Sequence, residues 1–360
     1  MTTLPASLSP HAEPGGSDHK PHAPNDGARE PAPREHLREL DGWRGISILA
    51  VLACHLLPLG PKSLQLNWSA GMFGMSIFFC LSGFLITSFL LRRPEVSSFI
   101  IRRLCRILPL AYLYLVVLML WLHAPWQGWL ANLGFVENYQ TEYLWDLNAH
   151  FWSLCVEMQF YLGIVVAVCL FRRWWRWTIP AVCILVTGLR IWYGAYESIY
   201  THLRVDEILV GGCLALLYTS PSAHAASWLF RKLAPPLAVL LLLASTSAFS
   251  GALQYGRPYF AALAVGSVLF QPQHWLSGLL RAKSLRYIAE ISYALYVIHP
   301  VTAAGWMSAG PVWQKYLLKR PISFALTFAL AHLSTFHWES RWIALGKRWT
   351  SSPRAVAHSE

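Results

Sequence analysis

DGWRGISILAVLACHLLPLG, residues 41–60, is an apolar stretch that opens on an arginine and carries a histidine deep inside it. Arg44 and His55 lie eleven residues apart. Three helical turns take about 10.8 residues, so in a helix the two side chains share one face, roughly 16 Å apart along the axis. Ionisable groups inside a spanning helix are expensive, which makes each a candidate functional residue. The stretch predicts a membrane-embedded helix with chemistry on one face.

Composition widens that reading to the whole chain. Of 360 residues, 55% are hydrophobic and only 13% charged, and the mean hydropathy is +0.39. A soluble domain of this length needs more surface charge, whereas a polytopic membrane protein does not. The formal charge of +11 is read as loop Lys and Arg that orient spans and meet anionic lipid, not as a nucleic-acid surface. Eighteen tryptophans suit interfacial belts, with Trp68, Trp121, Trp145, Trp174, Trp306 and Trp342 near stretch ends. The seven cysteines show no CxxC or metal spacing and read as small buried residues, so no metal site is expected.

Residues 1–36, ending PHAPNDGAREPAPREH, lack apolar periodicity and are expected to form a disordered tail in which His11, His19 and His22 are solvated. No cleavable signal peptide is visible in them. Ten apolar stretches follow, near 45–60, 70–91, 107–123, 148–171, 174–195, 204–219, 234–250, 258–271, 286–308 and 322–340. The alternating barrel signature is absent, so the expected fold is all-α and polytopic, with about ten transmembrane helices. Placing both termini in the cytoplasm puts most of the 29 Lys and Arg inside, including Arg92, Arg93, Arg172, Arg173, Arg231 and Arg281. The loop 124–147 carries none and would face out. No internal repeat, Walker A, GxGxxG or GxSxG occurs, which disfavours inverted-repeat transport, nucleotide-driven pumping and a nucleophile-elbow hydrolase.

Several polar groups interrupt the apolar stretches. A neutral imidazole at His55 could take a proton from a hydroxyl attacking an ester-like carbon. The competing reading is a packed histidine, and the Arg44 register favours function. FIIRRLCRILP, residues 99–109, holds Arg103 and Arg106 on one face beside Arg102. Guanidinium forks bind phosphate, yet from the run alone a positive-inside anchor is preferred. HFWSLCVEMQFYL, residues 150–162, buries Glu157 and Gln159; the carboxylate either belongs to a pocket or pairs across helices. Arg204 and Asp206 are read as a local structural pair. His299, in ISYALYVIHP at 291–300, has a depth similar to that of His55, and Pro300 can kink the helix at the carbonyl of Tyr296. Ser82 and Gly83 are expected at a close helix crossing rather than as a nucleophile. Asn67-Trp68-Ser69 is a formal but weak glycosylation sequon.

In order, LDGWRGISILAVLACH, GMFGMSIFFCLSGFLIT, RRLCRILP, WSLCVEMQFYL, RVDEILVGGCLALL and ISYALYVIHP resemble the membrane-bound acyltransferase 3 family, which O-acetylates bacterial surface glycans. The likeness runs from about 37 to 345, leaving a short C-terminal tail at 346–360, and HWESRW with Glu339 resembles the family's usual end. Met158 and Cys155 are mild departures. No SGNH-type esterase domain is expected after the last span. The resemblance implies a membrane-bound O-acyltransferase of a bacterial inner membrane that uses acetyl-CoA or another acyl-CoA as cosubstrate, with no permanently bound cofactor. It places His55 and Glu157 as catalytic candidates and Arg44, Arg103, Arg106 and His299 as substrate-binding ones. The implied acceptor is a carbohydrate or lipid-linked glycan. Acylation of a small intracellular metabolite, such as an antibiotic sugar, and a non-enzymatic glycan transporter or flippase are the alternatives.

Overall fold

The computed structural model describes residues 37–92, 95–220, 223–306 and 309–351, with backbone alone for 223–227. The N-terminal tail with His11, His19 and His22, Arg93 and the end of the C-terminal tail lie outside the described residues. Among the described residues every regular element is helical. The helices are α1 (Arg38–Leu56), α2 (Leu66–Arg92), α3 (Val96–Trp121), α4 (Trp126–Leu133), α5 (Trp152–Phe171) and α6 (Trp175–Trp192). They continue with α7 (Asp206–Thr219), α8 (Ala223–Lys232), α9 (Pro235–Thr246), α10 (Arg257–Phe270), α11 (Trp275–Leu280) and α12 (Lys283–Glu290). The last four are α13 (Ser292–Ala303), the single turn α14 (Val312–Gln314), α15 (Arg320–Leu333) and α16 (Ser340–Thr350). Each of the ten apolar stretches overlaps a helix, and the ninth is divided between α12 and α13.

Three helical runs among the described residues are long and apolar enough to cross a membrane: Lys62–Arg92, Val96–Trp121 and Ala149–Trp192. The third runs through α5 and α6 and is broken at Arg172, whose φ of 42° turns the chain out of the helix. Other helices are shorter. α9 has 12 residues, which at 1.5 Å per residue spans roughly 18 Å of a hydrocarbon layer about 30 Å thick.

α2 is the axis of the packing. It is apolar on every side, as a helix enclosed by others must be, and it packs most extensively against α7 and α1. The α2–α7 crossing is as close as backbones allow. A Cβ on Gly83 would overlap the carbonyl oxygen of Ile208, and one on Gly211 that of Cys80. Dispersion between closely approached backbones replaces the hydrophobic driving force that lipid cannot supply. Gly83 therefore has the crossing role expected of it, while its neighbour Ser82 serves a different end described below.

The expected pairing of Arg204 with Asp206 is corrected. Asp206 receives Arg190 from α6 at 2.6 Å. Arg204 lies 3.5 Å from Glu207, which also takes Arg257 of α10 at 3.1 Å. Residues two apart on a helical turn point to opposite sides, whereas i and i+3 share a face. All five of these charged groups are buried.

Candidate active site

Three imidazoles converge at one end of the bundle. The rings of His55 and His299 are 5.1 Å apart between centroids, and those of His150 and His299 are 5.2 Å apart. α1 delivers His55 on its last turn, α13 delivers His299, and the turn that precedes α5 delivers His150. His299 is 1% exposed, whereas His55 is open to a cavity of about 450 Å³. That cavity is also lined by His150, Arg204, Glu197, Trp68, Trp152 and Tyr296.

Proline sets the state of the buried ring. Pro300 has no N–H, so the Tyr296 carbonyl loses its helical donor one turn on. His299 Nδ1 occupies that position, 2.8 Å from the Tyr296 oxygen. A carbonyl only accepts, so Nδ1 carries the proton and Nε2 holds the lone pair. The Tyr296 side chain is equally engaged: its hydroxyl lies 2.5 Å from Ser153 Oγ and donates to the His150 carbonyl. Both ring nitrogens of His150 are buried and lack a hydrogen-bond partner among the described residues.

The cavity rim is fastened from below. Arg190 Nη2 and Arg257 Nη2 donate to the Tyr196 carbonyl at 2.8 and 3.3 Å, which holds the 194–200 loop carrying Glu197. Asn138 Nδ2 donates to Ile199 O at 3.0 Å, and Gln159 of α5 binds Asn138 in turn. Partial desolvation at the cavity wall raises the exposed Glu197 carboxyl above its usual range, against the opposing pull of Arg204 and Arg257. Asn67 is not a free sequon. Its amide donates to the carbonyls of Cys54 at 2.7 Å and Leu57 at 2.6 Å, capping α1 beside His55.

A second cluster lies toward the opposite end. Glu157 Oε1 accepts from Ser82 Oγ at 2.8 Å and from Tyr161 at 2.5 Å. Arg44 interacts electrostatically with Arg106, Arg103 and Glu157, and Arg106 with Glu157 and Glu339. Glu339 is 4% exposed and accepts from Ser334 at 2.9 Å. Among the described residues none of Arg44, Arg103 and Arg106 forms a salt bridge; Arg44 and Arg106 share the field of Glu157, and Arg106 feels that of Glu339 as well.

The expected site residues thus divide. His55 meets His299; Glu157 joins Arg44, Arg103 and Arg106. The histidine cavity has none of the latter four in its wall. His150 and the buried network of Arg190, Glu207 and Arg257 carried no weight in the sequence. One signal was present: His150 stands seven residues before Glu157, about two helical turns, in the stretch quoted for the carboxylate.

A family model described as an acyltransferase domain matches residues 37–335. The peptidoglycan O-acetyltransferase OatA of Listeria monocytogenes is 26% identical over 84% of this chain and 55% of its own length. Nodulation protein 10 of Rhizobium leguminosarum is 28% identical over 72% of this chain and 79% of its own. The O-acetyltransferase OatA of Staphylococcus aureus is 27% identical over 73% of this chain and 50% of its own. The chain spans about half the length of both OatA relatives. No solved structure matches it. With most of its length inside the family's boundaries, the chain belongs to the acyltransferase 3 family of membrane-associated acyltransferases.

Proposed function

We propose that the chain transfers an acetyl group from cytoplasmic acetyl-CoA to a hydroxyl of a surface carbohydrate, within a bacterial inner membrane and through about ten spans with both termini inside. The observation that carries this reading is the pairing of a cavity-facing imidazole, His55, with a buried one whose protonated nitrogen is set by Tyr296. Two neutral rings next to an opening suit proton removal from an alcohol.

In this mechanism Arg103 and Arg106, with Arg44, hold the phosphates of the donor, and Glu157 keeps the guanidiniums apart and oriented. His55 takes the proton of the acceptor hydroxyl as its oxygen attacks the thioester carbon. The new C–O bond forms, the C–S bond breaks, and the departing thiolate takes up the proton that His55 removed, which returns the ring to its neutral form. Names of the relatives support the glycan acceptor: two are O-acetyltransferases, one of them of peptidoglycan.

The test is His55→Ala in membranes given radiolabelled acetyl-CoA. The expected outcome is loss of label in glycan with normal membrane insertion. Retained glycan acetylation removes the imidazole from the chemistry, and absence of label with the unaltered chain removes acyl transfer itself.

A further inference from the structure

Two cavities share one wall. Beside the histidine cavity lies another of about 480 Å³, with Gln65 and Gln254 in its lining, and Trp68 and Glu197 belong to both. Taken as one acceptor cleft, the two cavities begin at His55 and meet at Trp68 and Glu197. The partition carries one indole, 38% exposed, and one exposed carboxylate. An indole gives the apolar face of a sugar ring a platform, and a carboxylate accepts from its hydroxyls.

The charges beneath that partition do not cancel. Arg190, Arg204 and Arg257 carry three positive charges against two on Asp206 and Glu207, and all five groups are buried. Glu207 is shared by two guanidiniums, and Nε and Nη2 of Arg204 make no hydrogen bond among the described residues. Arg204 lies 5.2 Å from the Trp152 ring centroid and forms part of the histidine cavity wall. One positive charge is therefore left over next to the acceptor opening, and an uncompensated buried charge is costly. Glu197 supplies the sixth charge. It interacts with Arg204 and Arg257 through space while making no hydrogen bond or ion pair of its own among the described residues.

We propose that Glu197 sets the charge selectivity of the acceptor cleft, balancing Arg204 so that the cleft takes an uncharged stretch of carbohydrate and rejects one bearing carboxylates. This deepens the glycan acyl-transfer reading and rests on it for the cleft's purpose. The loop geometry makes the role specific: Tyr196, the preceding residue, is held by Arg190 and Arg257, so the carboxylate is presented at a fixed place on the partition. Replacing Glu197 by Gln keeps the shape and one accepting oxygen but leaves the cleft one charge more positive.

The experiment uses the full chain purified in detergent, with tetragalacturonate and its methyl ester as probes, two oligosaccharides that differ in charge and in one methyl group per sugar. Apparent affinities come from ligand-dependent shifts in the melting midpoint. The unaltered chain should prefer the ester, and Glu197→Gln should move the ester-to-acid affinity ratio toward the acid by on the order of tenfold. Glu197→Asp should keep the original ratio. Equal preference for the two probes in the unaltered chain, binding of neither, or the same ratio in Glu197→Gln overturns the proposal. Failure of the acyl-transfer reading shows separately, as absent label from acetyl-CoA with the charge preference intact.

Discussion

Glu137 follows α4, in the 124–147 loop, with its side chain 0% exposed and both carboxylate oxygens unpartnered among the described residues. Burial raises its pKa from 4.5 to about 7. Between those values the folded chain keeps a proton that the unfolded chain releases. The stability contributed is therefore complete below pH 4.5, falls as the pH rises, and is lost above 7. The difference between the two values corresponds to about 3 kcal/mol. Glu137→Gln removes the titration while keeping a neutral side chain of the same shape. The variant should melt at a nearly constant temperature from pH 5 to 8 and exceed the unaltered chain by several degrees at pH 8, with little difference at pH 5. The loss should be felt at the cavity, since the adjacent Asn138 holds the Ile199 carbonyl of the rim at 3.0 Å. Melting curves in detergent across that pH range are the assay. Parallel pH dependence in the two proteins would refute the argument that this carboxyl is protonated when buried.

Pro300→Ala restores an amide N–H to the Tyr296 carbonyl, which then competes with His299 Nδ1 for the same oxygen. Losing about 1 kcal/mol of tautomer preference should lower kcat by about fivefold; an unchanged rate would dissociate the tautomer from catalysis. Gly211→Val sets a side chain against the Cys80 carbonyl and should prevent close packing of α2 on α7, read as loss of monodisperse protein on size-exclusion chromatography. Tyr296→Phe strips a hydroxyl from Ser153 and from the His150 carbonyl, and should cost about 1–3 kcal/mol, seen as a lower melting temperature. Because His299 bonds to the backbone of Tyr296, that bond should survive the substitution.

The helices were legible where apolar runs were long and bounded. α2 and α5 fall within a few residues of the stretches read at 70–91 and 148–171. The π-turns at Lys315–Lys319 and Ser334–Glu339 were not, because they alter hydrogen-bond register without altering composition. The His55–His299 encounter followed from their similar depth on two helices. The Pro300 argument identified the freed carbonyl but not the ring that takes it. Arg204 was assigned to the wrong acid because the i,i+3 neighbour Glu207, not the i,i+2 neighbour Asp206, shares its face, while Asp206 is taken by Arg190 of another helix; Arg190 and Arg257 are 16 and 50 residues from their carboxylates. Asn67 shows the same limit from the other side. A sequon is three letters long, whereas the cap it forms depends on where α1 happens to end.

Two rigid rods each carry a member of both polar clusters. α1 holds Arg44 and His55 on one unbroken helix from Arg38 to Leu56, so their axial separation is fixed at roughly 16 Å. α5 and the turn before it hold Glu157 and His150, seven residues or roughly 10 Å apart. An α-helix does not shorten, so no rearrangement of loops can bring Arg44 to His55 or Glu157 to His150. If the donor's anionic head rests on Arg103 and Arg106, the remaining distance has to be covered by the donor itself. That requirement favours a carrier with its acyl group at the end of a long, thin, flexible arm. A donor with the acyl group directly on its phosphate would leave the reacting carbon most of a helix length short of His55.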